Sequence, residues 1–344
     1  MPSSTSNSNH RAPTGNVGRT WLLALGLVLL LMGGWEVYWR LQGFRPSVYA
    51  NDASWSVVRS QVGPSSVVVI GTSRIQAALD PDVWNSVRDE VPLQLALLGT
   101  SPVPLLGNLA EESEFAGTVL VEILPLFAFD AAGASEARSH QALDRYRRMR
   151  VSPALWTEDW LRMRIPSAFV FRDPALTAER LAREWSNGRD PTPLDGSMRV
   201  DRYFPLDFDR LDPDRPWSAE EGYIGLNYPI AVNRGRPASP DELTEMLESM
   251  DSSVRQIQAR GGKVVYLHLP ACGGRLAIEE RRYPRDSYWD RLATSTSGVA
   301  FHAGDYPLLS EFPCYDGSHM DMADAPAFTR ALAELVTEAL GGDG

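Results

Sequence analysis

Cysteine is scarce in this 344-residue chain, and so is any pattern that would hold a metal or a nucleotide. Cys272 and Cys314 are the only two, neither lies in a Cys-x-x-Cys pair, and no His/Cys grouping has zinc spacing. No Gly-x-Gly-x-x-Gly and no Gly-Lys-Ser/Thr run occurs, so neither a cofactor nor a metal is indicated. Basic charge is also in deficit. Against 44 Asp and Glu stand 33 Lys and Arg, a net charge of −11. Phosphate binding needs a basic face, so nucleic acid is excluded as a partner. The cluster Arg145-Tyr146-Arg147-Arg148-Met149-Arg150 reads as a solvated helix face, with lipid headgroups or an anionic glycan as alternative contacts.

Long apolar runs are confined to one place. Residues 1–19, rich in Ser, Asn, Pro and Gly, read as a disordered tail. Residues 20–39 follow as a mostly apolar segment flanked by Arg19 and Arg40, with Trp21, Trp35, Tyr38 and Trp39 where an aromatic belt would lie. About 20 helical residues cross a hydrocarbon core of roughly 30 Å. A cleaved signal peptide is the competing reading, but bulky Trp-Arg-Leu-Gln follows in place of a small-residue cleavage site. The segment is therefore expected to be a single transmembrane anchor, with residues 40–64 as a linker. Arginines on both sides leave its orientation unset.

Beyond the anchor, β-rich runs are expected at 66–71, 93–98, 118–124, 263–269 and 298–302. Val67-Val68-Val69-Ile70 and Val119-Leu120-Val121 are apolar without alternation, the mark of strands covered on both faces. Helical signals separate them. Asp80 caps a helix opened by Pro81, residues 102–115 form another, and Ser239-Pro240-Asp241-Glu242 opens a third that ends at Gly261-Gly262. A last helix is expected over about 324–340. The alternation predicts an α/β domain over 65–344 with a parallel five-stranded sheet, helices on both faces, and ligands at the C-terminal strand ends. Residues 128–238 break the rhythm and are expected to be an insertion between strands 3 and 4, capping the site edge. Its Trp156, Trp160, Trp185 and Trp217 are read chiefly as a small core, with sugar stacking as the alternative.

Two short blocks carry chemistry. Ser73 follows the first strand in Gly71-Thr72-Ser73, and Asp316-Gly317-Ser318-His319 lies far downstream. A serine hydroxyl needs a base to take its proton and a third group to orient that base. Ser73, His319 and Asp316 supply those types in that order. His268 and His302, in strand-like runs, are expected to be structural. Asp321 is expected to end a loop, Asp324 to cap a helix, and Arg74 to stabilise the turn. Cys272 and Cys314 fall at one edge of the expected sheet, within disulfide reach of each other, with independent buried thiols as the alternative.

These residues resemble the motifs of the SGNH (GDSL-like) hydrolase and acyltransferase superfamily. Gly71-Thr72-Ser73 is similar to its first motif and Asp316 to His319 to its last. Gly99, in Leu97-Leu98-Gly99-Thr100-Ser101, matches the second-motif glycine whose N–H joins that of Ser73 in binding the oxyanion. The third-motif Asn has no counterpart in Thr118-Val119-Leu120-Val121-Glu122-Ile123-Leu124-Pro125. The resemblance implies a flavodoxin-like three-layer α/β/α fold and ester hydrolysis or O-acyl transfer on an extracytoplasmic acylated carbohydrate or other ester. As in bacterial polysaccharide O-acetyltransferase-type proteins, it also implies a membrane partner that delivers acyl groups. The missing Asn keeps open a non-catalytic binding or assembly module of envelope polysaccharide synthesis.

Overall fold

The structure, a computed structural model, describes residues 17–48, 51–112, 114–191, 193, 196–210 and 235–341. The chain divides into two units, Met1–Phe44 and Arg45–Gly344. In the first, helix Val17–Leu41 has 25 residues and a mean hydropathy of 1.8 over its most apolar stretch, long and apolar enough to cross a membrane. The helix exceeds the expected 20–39 at both ends and takes in residues 17–19, which were expected to be tail; residues 1–16 lie outside the described residues. Near its C-terminal end, Trp39 meets Trp35 and Phe44 edge to face at 5.5 and 5.1 Å.

In the second unit five parallel strands form one sheet: β1 Val67–Ile70, β2 Leu93–Gln94, β3 Thr118–Glu122, β4 Lys263–His268 and β5 Val299–His302, in the order β2-β1-β3-β4-β5. Successive side chains of a strand point to opposite faces, and here both faces are apolar. Val68, Ile70, Val119, Val121, Val264 and Tyr266 feed one core, packed on by helices Asp52–Arg59, Val103–Glu111 and Pro240–Gln258. Val67, Val69, Leu120, Val265 and Leu267 feed the other, under helices Ser73–Ala78, Pro81–Arg88 and Ala325–Gly341. Each such valine contributes roughly 1.5–3 kcal/mol by leaving water, which is why the continuous apolar runs belong in a sheet covered by helices on both sides.

Local signals fix the helix starts. Asp80 caps its helix through Asp82 N–H and Val83 N–H, and Ser239 and Glu242 form a full capping box. Two expectations need correction. Residues 40–64 are not a free linker, because Asn51 caps helix Asp52–Arg59 and Trp55, Val57 and Val58 of that helix are buried. Nor do Trp156, Trp160 and Trp185 form a core, since all three are exposed; Trp217 lies outside the described residues. Between β3 and β4 the chain has structure of its own, including helices Ala137–Arg150, Pro153–Ala168 and Ala178–Ser186 and an antiparallel bridge between Gly196 and Leu206.

β2 is a short edge strand whose outer side is closed by side chains. Leu95 N–H and Leu97 N–H still bond Val69 and Gly71 carbonyls, continuing the parallel pairing. On the other side, buried Arg202 donates to the Gln94 and Ala96 carbonyls at 3.1 and 2.8 Å; the Trp55 indole donates to Leu95 O at 2.8 Å. This closes an edge that would otherwise offer unpaired carbonyls. The Arg202 guanidinium also donates to Ser54 Oγ at 2.8 Å, and burial brings its pKa down to about 9. Arg202→Ala should therefore cost about 3 kcal/mol, from lost packing and two buried carbonyls left unpaired, measured as a lower urea midpoint.

Candidate active site

β1 delivers its chain to the site through a turn that only glycine fits. Gly71 has φ 152°, and a Cβ there would lie 2.6 Å from Glu122 Cβ. Thr72 caps helix Ser73–Ala78 by accepting from Arg74 N–H at 3.2 Å, while Thr72 N–H donates to Glu122 Oε2 at 2.7 Å. Ser73 is thus the first helical residue, half-buried, held from behind by the end of β3. Burial holds the Glu122 carboxyl above its ordinary pKa, against the pull of Arg74 and the Thr72 N–H.

The downstream block meets this turn directly. His319 Nε2 lies 2.8 Å from Ser73 Oγ, and His319 Nδ1 lies 2.7 Å from Asp316 Oδ2. The other carboxylate oxygen, Oδ1, accepts the N–H groups of Ser318 and His319 at 2.9 and 2.7 Å. An ionised carboxylate can only accept, so Nδ1 carries the proton of the neutral ring and Nε2 is free to accept from Ser73. Burial pushes the Asp316 carboxyl up, but His319 and the two backbone donors outweigh it and hold it far below the usual carboxylate range.

The loop is fastened at several points. Cys272 and Cys314 form a disulfide with Cα atoms 5.8 Å apart, and Cys272 N–H donates to Gly317 O at 3.1 Å. Arg74, almost wholly buried, donates from Nη2 to Leu269 and Pro270 carbonyls at 2.7 and 2.6 Å. Its Nη1 stands 3.9 Å from Glu279, whose other oxygen meets His268 Nε2 at 2.7 Å. Burial alone would raise Glu279, yet His268, Arg74 and Arg275 bring it down to about 2. His268 stacks on His302 at 4.2 Å, so both of these histidines lie in a packed cluster beside Trp289. The segment around 208 also reaches the site. Phe208 stacks on Tyr315 at 5.1 Å, and its N–H donates to Asp321 Oδ2 at 2.8 Å.

Gly99 sits at the same strand edge, exposed and at φ 64°, two residues past Leu97, whose N–H bonds Gly71 O. Arg138 Nη1 donates to Leu98 O at 3.2 Å. A trans peptide points its carbonyl and N–H in opposite directions, so this bond turns the Gly99 N–H away from Arg138. At the end of β3, where an Asn was sought, Glu122 supports the turn instead. Sequence reasoning missed Glu122, Arg138 and Phe208. A charged residue closing an apolar strand was the one available signal, at Glu122. Asp321 accepts from Ala323 N–H as well as Phe208 N–H, and the last helix begins at Ala325. The chain matches no protein-family model and no curated protein.

Two measurements follow from this geometry. Because the folded-state pKa of Asp316 is depressed, its contribution is present above about pH 4 and is lost as pH falls below that value. Asp316→Asn should flatten the acid limb of a stability–pH curve, while wild type steepens there. Replacing both cysteines by serine should cost about 3 kcal/mol, a Tm fall of roughly 5 °C, read by calorimetry against the oxidised protein.

Proposed function

We propose that this chain is a membrane-anchored SGNH-like serine esterase or O-acyltransferase using a Ser73–His319–Asp316 triad. The observation that carries the reading is the continuous relay from Ser73 Oγ through His319 to Asp316, closed between groups 246 residues apart in sequence. Ser73 Oγ attacks the acyl carbonyl carbon while His319 Nε2 takes its proton and the carbonyl electron pair moves onto oxygen. Collapse of that adduct expels the alcohol, which receives the proton from His319, and leaves the acyl group on Ser73. Water or a sugar hydroxyl then repeats the sequence in the opposite sense. The oxyanion is held by the N–H of Ser73, which as a first-turn residue has no intrahelical acceptor, and by the N–H of Gly99.

The strand order and two helical layers support a flavodoxin-like three-layer α/β/α fold, with 128–238 as an insertion between strands 3 and 4. Helix Val17–Leu41 is the single-pass anchor. The disulfide fits an oxidising compartment and so supports a soluble unit outside the cytoplasm, with acylated glycans or other esters as its substrates. In the transferase version a membrane partner supplies the acyl group. The second reading, a binding or assembly module without turnover, is favoured by the end of β3, where Glu122 and Ile123 stand in place of an amide donor.

Ser73→Ala should lower turnover of a small activated ester by several orders of magnitude, and wild type should label with a fluorophosphonate. Wild-type activity in Ser73→Ala sinks the triad, and failure of folded protein to label favours the binding module. Acyl release to water alone, across a panel of free and acetylated polysaccharides, removes the transferase version. Arg138→Ala should lower kcat about tenfold with KM unchanged, by loosening the Gly99 peptide, and Arg138→Lys should recover part of the loss.

A further inference from the structure

Helix Pro153–Ala168 is built the wrong way out for a soluble protein. Only Asp159, Met163 and Pro166 are buried, while Trp156, Trp160, Leu161 and Ile165 are 37–44% exposed. Trp156 and Trp160, one turn apart, stack with ring centres 6.4 Å apart, and the Arg164 guanidinium lies 5.9 Å from the Trp160 ring. Phe169, just past the helix, is equally exposed. Four large apolar side chains on one 16-residue helix thus each keep more than a third of their surface exposed.

Charge is segregated to the same place. Residues 137–172 hold eight arginines against Asp144, Glu158 and Asp159, a net of +5 in a chain whose total is −11. Asp159 is buried and taken up by Arg145, which ties this helix to Ala137–Arg150. The arginines on the outer surfaces, Arg147, Arg150 and Arg162, have side chains 58–60% exposed, though each has a carboxylate nearby. Both helices pack on Asp52–Arg59, and ten residues of chain separate Leu41 from Asp52. Ten residues reach at most about 35 Å, so the tether between the anchor and this unit is short.

We infer that the exposed face of Pro153–Ala168, with the neighbouring arginines, is a second membrane contact that lies on an anionic bilayer surface. Tryptophan is favoured at the headgroup level, where its ring is half apolar and half wet, and arginine binds lipid phosphate with a planar fork. Exposed tryptophans with Arg164 among them suit the headgroup level of a bilayer and not its interior. The occupant is the lipid surface itself, chosen over a glycan because Leu161, Ile165 and Phe169 offer nothing to a polar sugar. The contact would restrain the soluble unit at the end of its tether and fix the height of the Ser73 site above the lipid. This inference rests on the reading of Val17–Leu41 as a membrane span, and not on the chemistry at Ser73.

The test uses the full chain reconstituted in nanodiscs, with an environment-sensitive fluorophore on Thr157→Cys and, separately, on Gln256→Cys as an exposed control. In discs containing phosphatidylglycerol, acrylamide quenching at 157 should fall about fivefold relative to 256, as for an interfacial helix. Trp156→Ser with Trp160→Ser should restore quenching at unchanged Tm, and so should high salt in part. Equal quenching at 157 and 256 overturns the inference. So does protection that is as strong in phosphatidylcholine discs, or that appears only when an anionic polysaccharide is added. Failure of the chain to enter discs at all overturns the anchor and this contact together, while leaving esterase activity as a separate measurement.

Discussion

A carboxylate removed from water beneath the Gly71-Thr72-Ser73 turn is the constraint on which the site depends. Glu122 ends β3 with no exposed surface, takes the Thr72 N–H, and leaves its other oxygen without a hydrogen-bond partner among the described residues. Burying such a group costs several kcal/mol unless it is compensated, and here Arg74 and the Thr72 N–H supply part of the compensation. Glycine is required at 71 because Glu122 occupies the space a Cβ would fill. With Gly71 and Thr72 fixed, Ser73 has one position and one helix start. The neighbouring parallel strands β1 and β3 thus position the serine through a side chain that does no chemistry of its own.

Much of this was legible in the sequence because it follows from period and punctuation. Val67 to Ile70 can only be a doubly covered strand, and Asp80-Pro81 and Ser239-Pro240 mark helix starts that the caps in the structure reproduce. Contacts between distant segments were not legible. Nothing around Arg202 in sequence indicates that it closes the edge of β2, since its partners are backbone carbonyls of residues 94 and 96, which have no residue type. The buried helix Asp52–Arg59 does not stand out from a linker in sequence, because eight residues give too few turns for an apolar stripe to show. The tryptophans misled for a different reason. Composition gives how much apolar surface exists, not whether the fold has anything to place over it.

The same strand edge holds two buried acid–histidine pairs, and their difference shows what the site requires. Glu279 with His268 and Asp316 with His319 have the same 2.7 Å contact between carboxylate and ring nitrogen. His268 lies between His302 and Trp289, and its Nδ1 is buried without a hydrogen-bond partner among the described residues. A ring so enclosed has no group to take a proton from. His319 differs in having a serine hydroxyl on its far nitrogen, at a half-buried position. The carboxylate on Arg74's side, Glu279, instead anchors the arginine that holds the 269–270 carbonyls, next to the disulfide that ties Cys272 to the loop before Asp316. One pair braces the frame and the other reaches a half-buried serine hydroxyl, so what the far ring nitrogen meets, and not the pairing itself, separates the two.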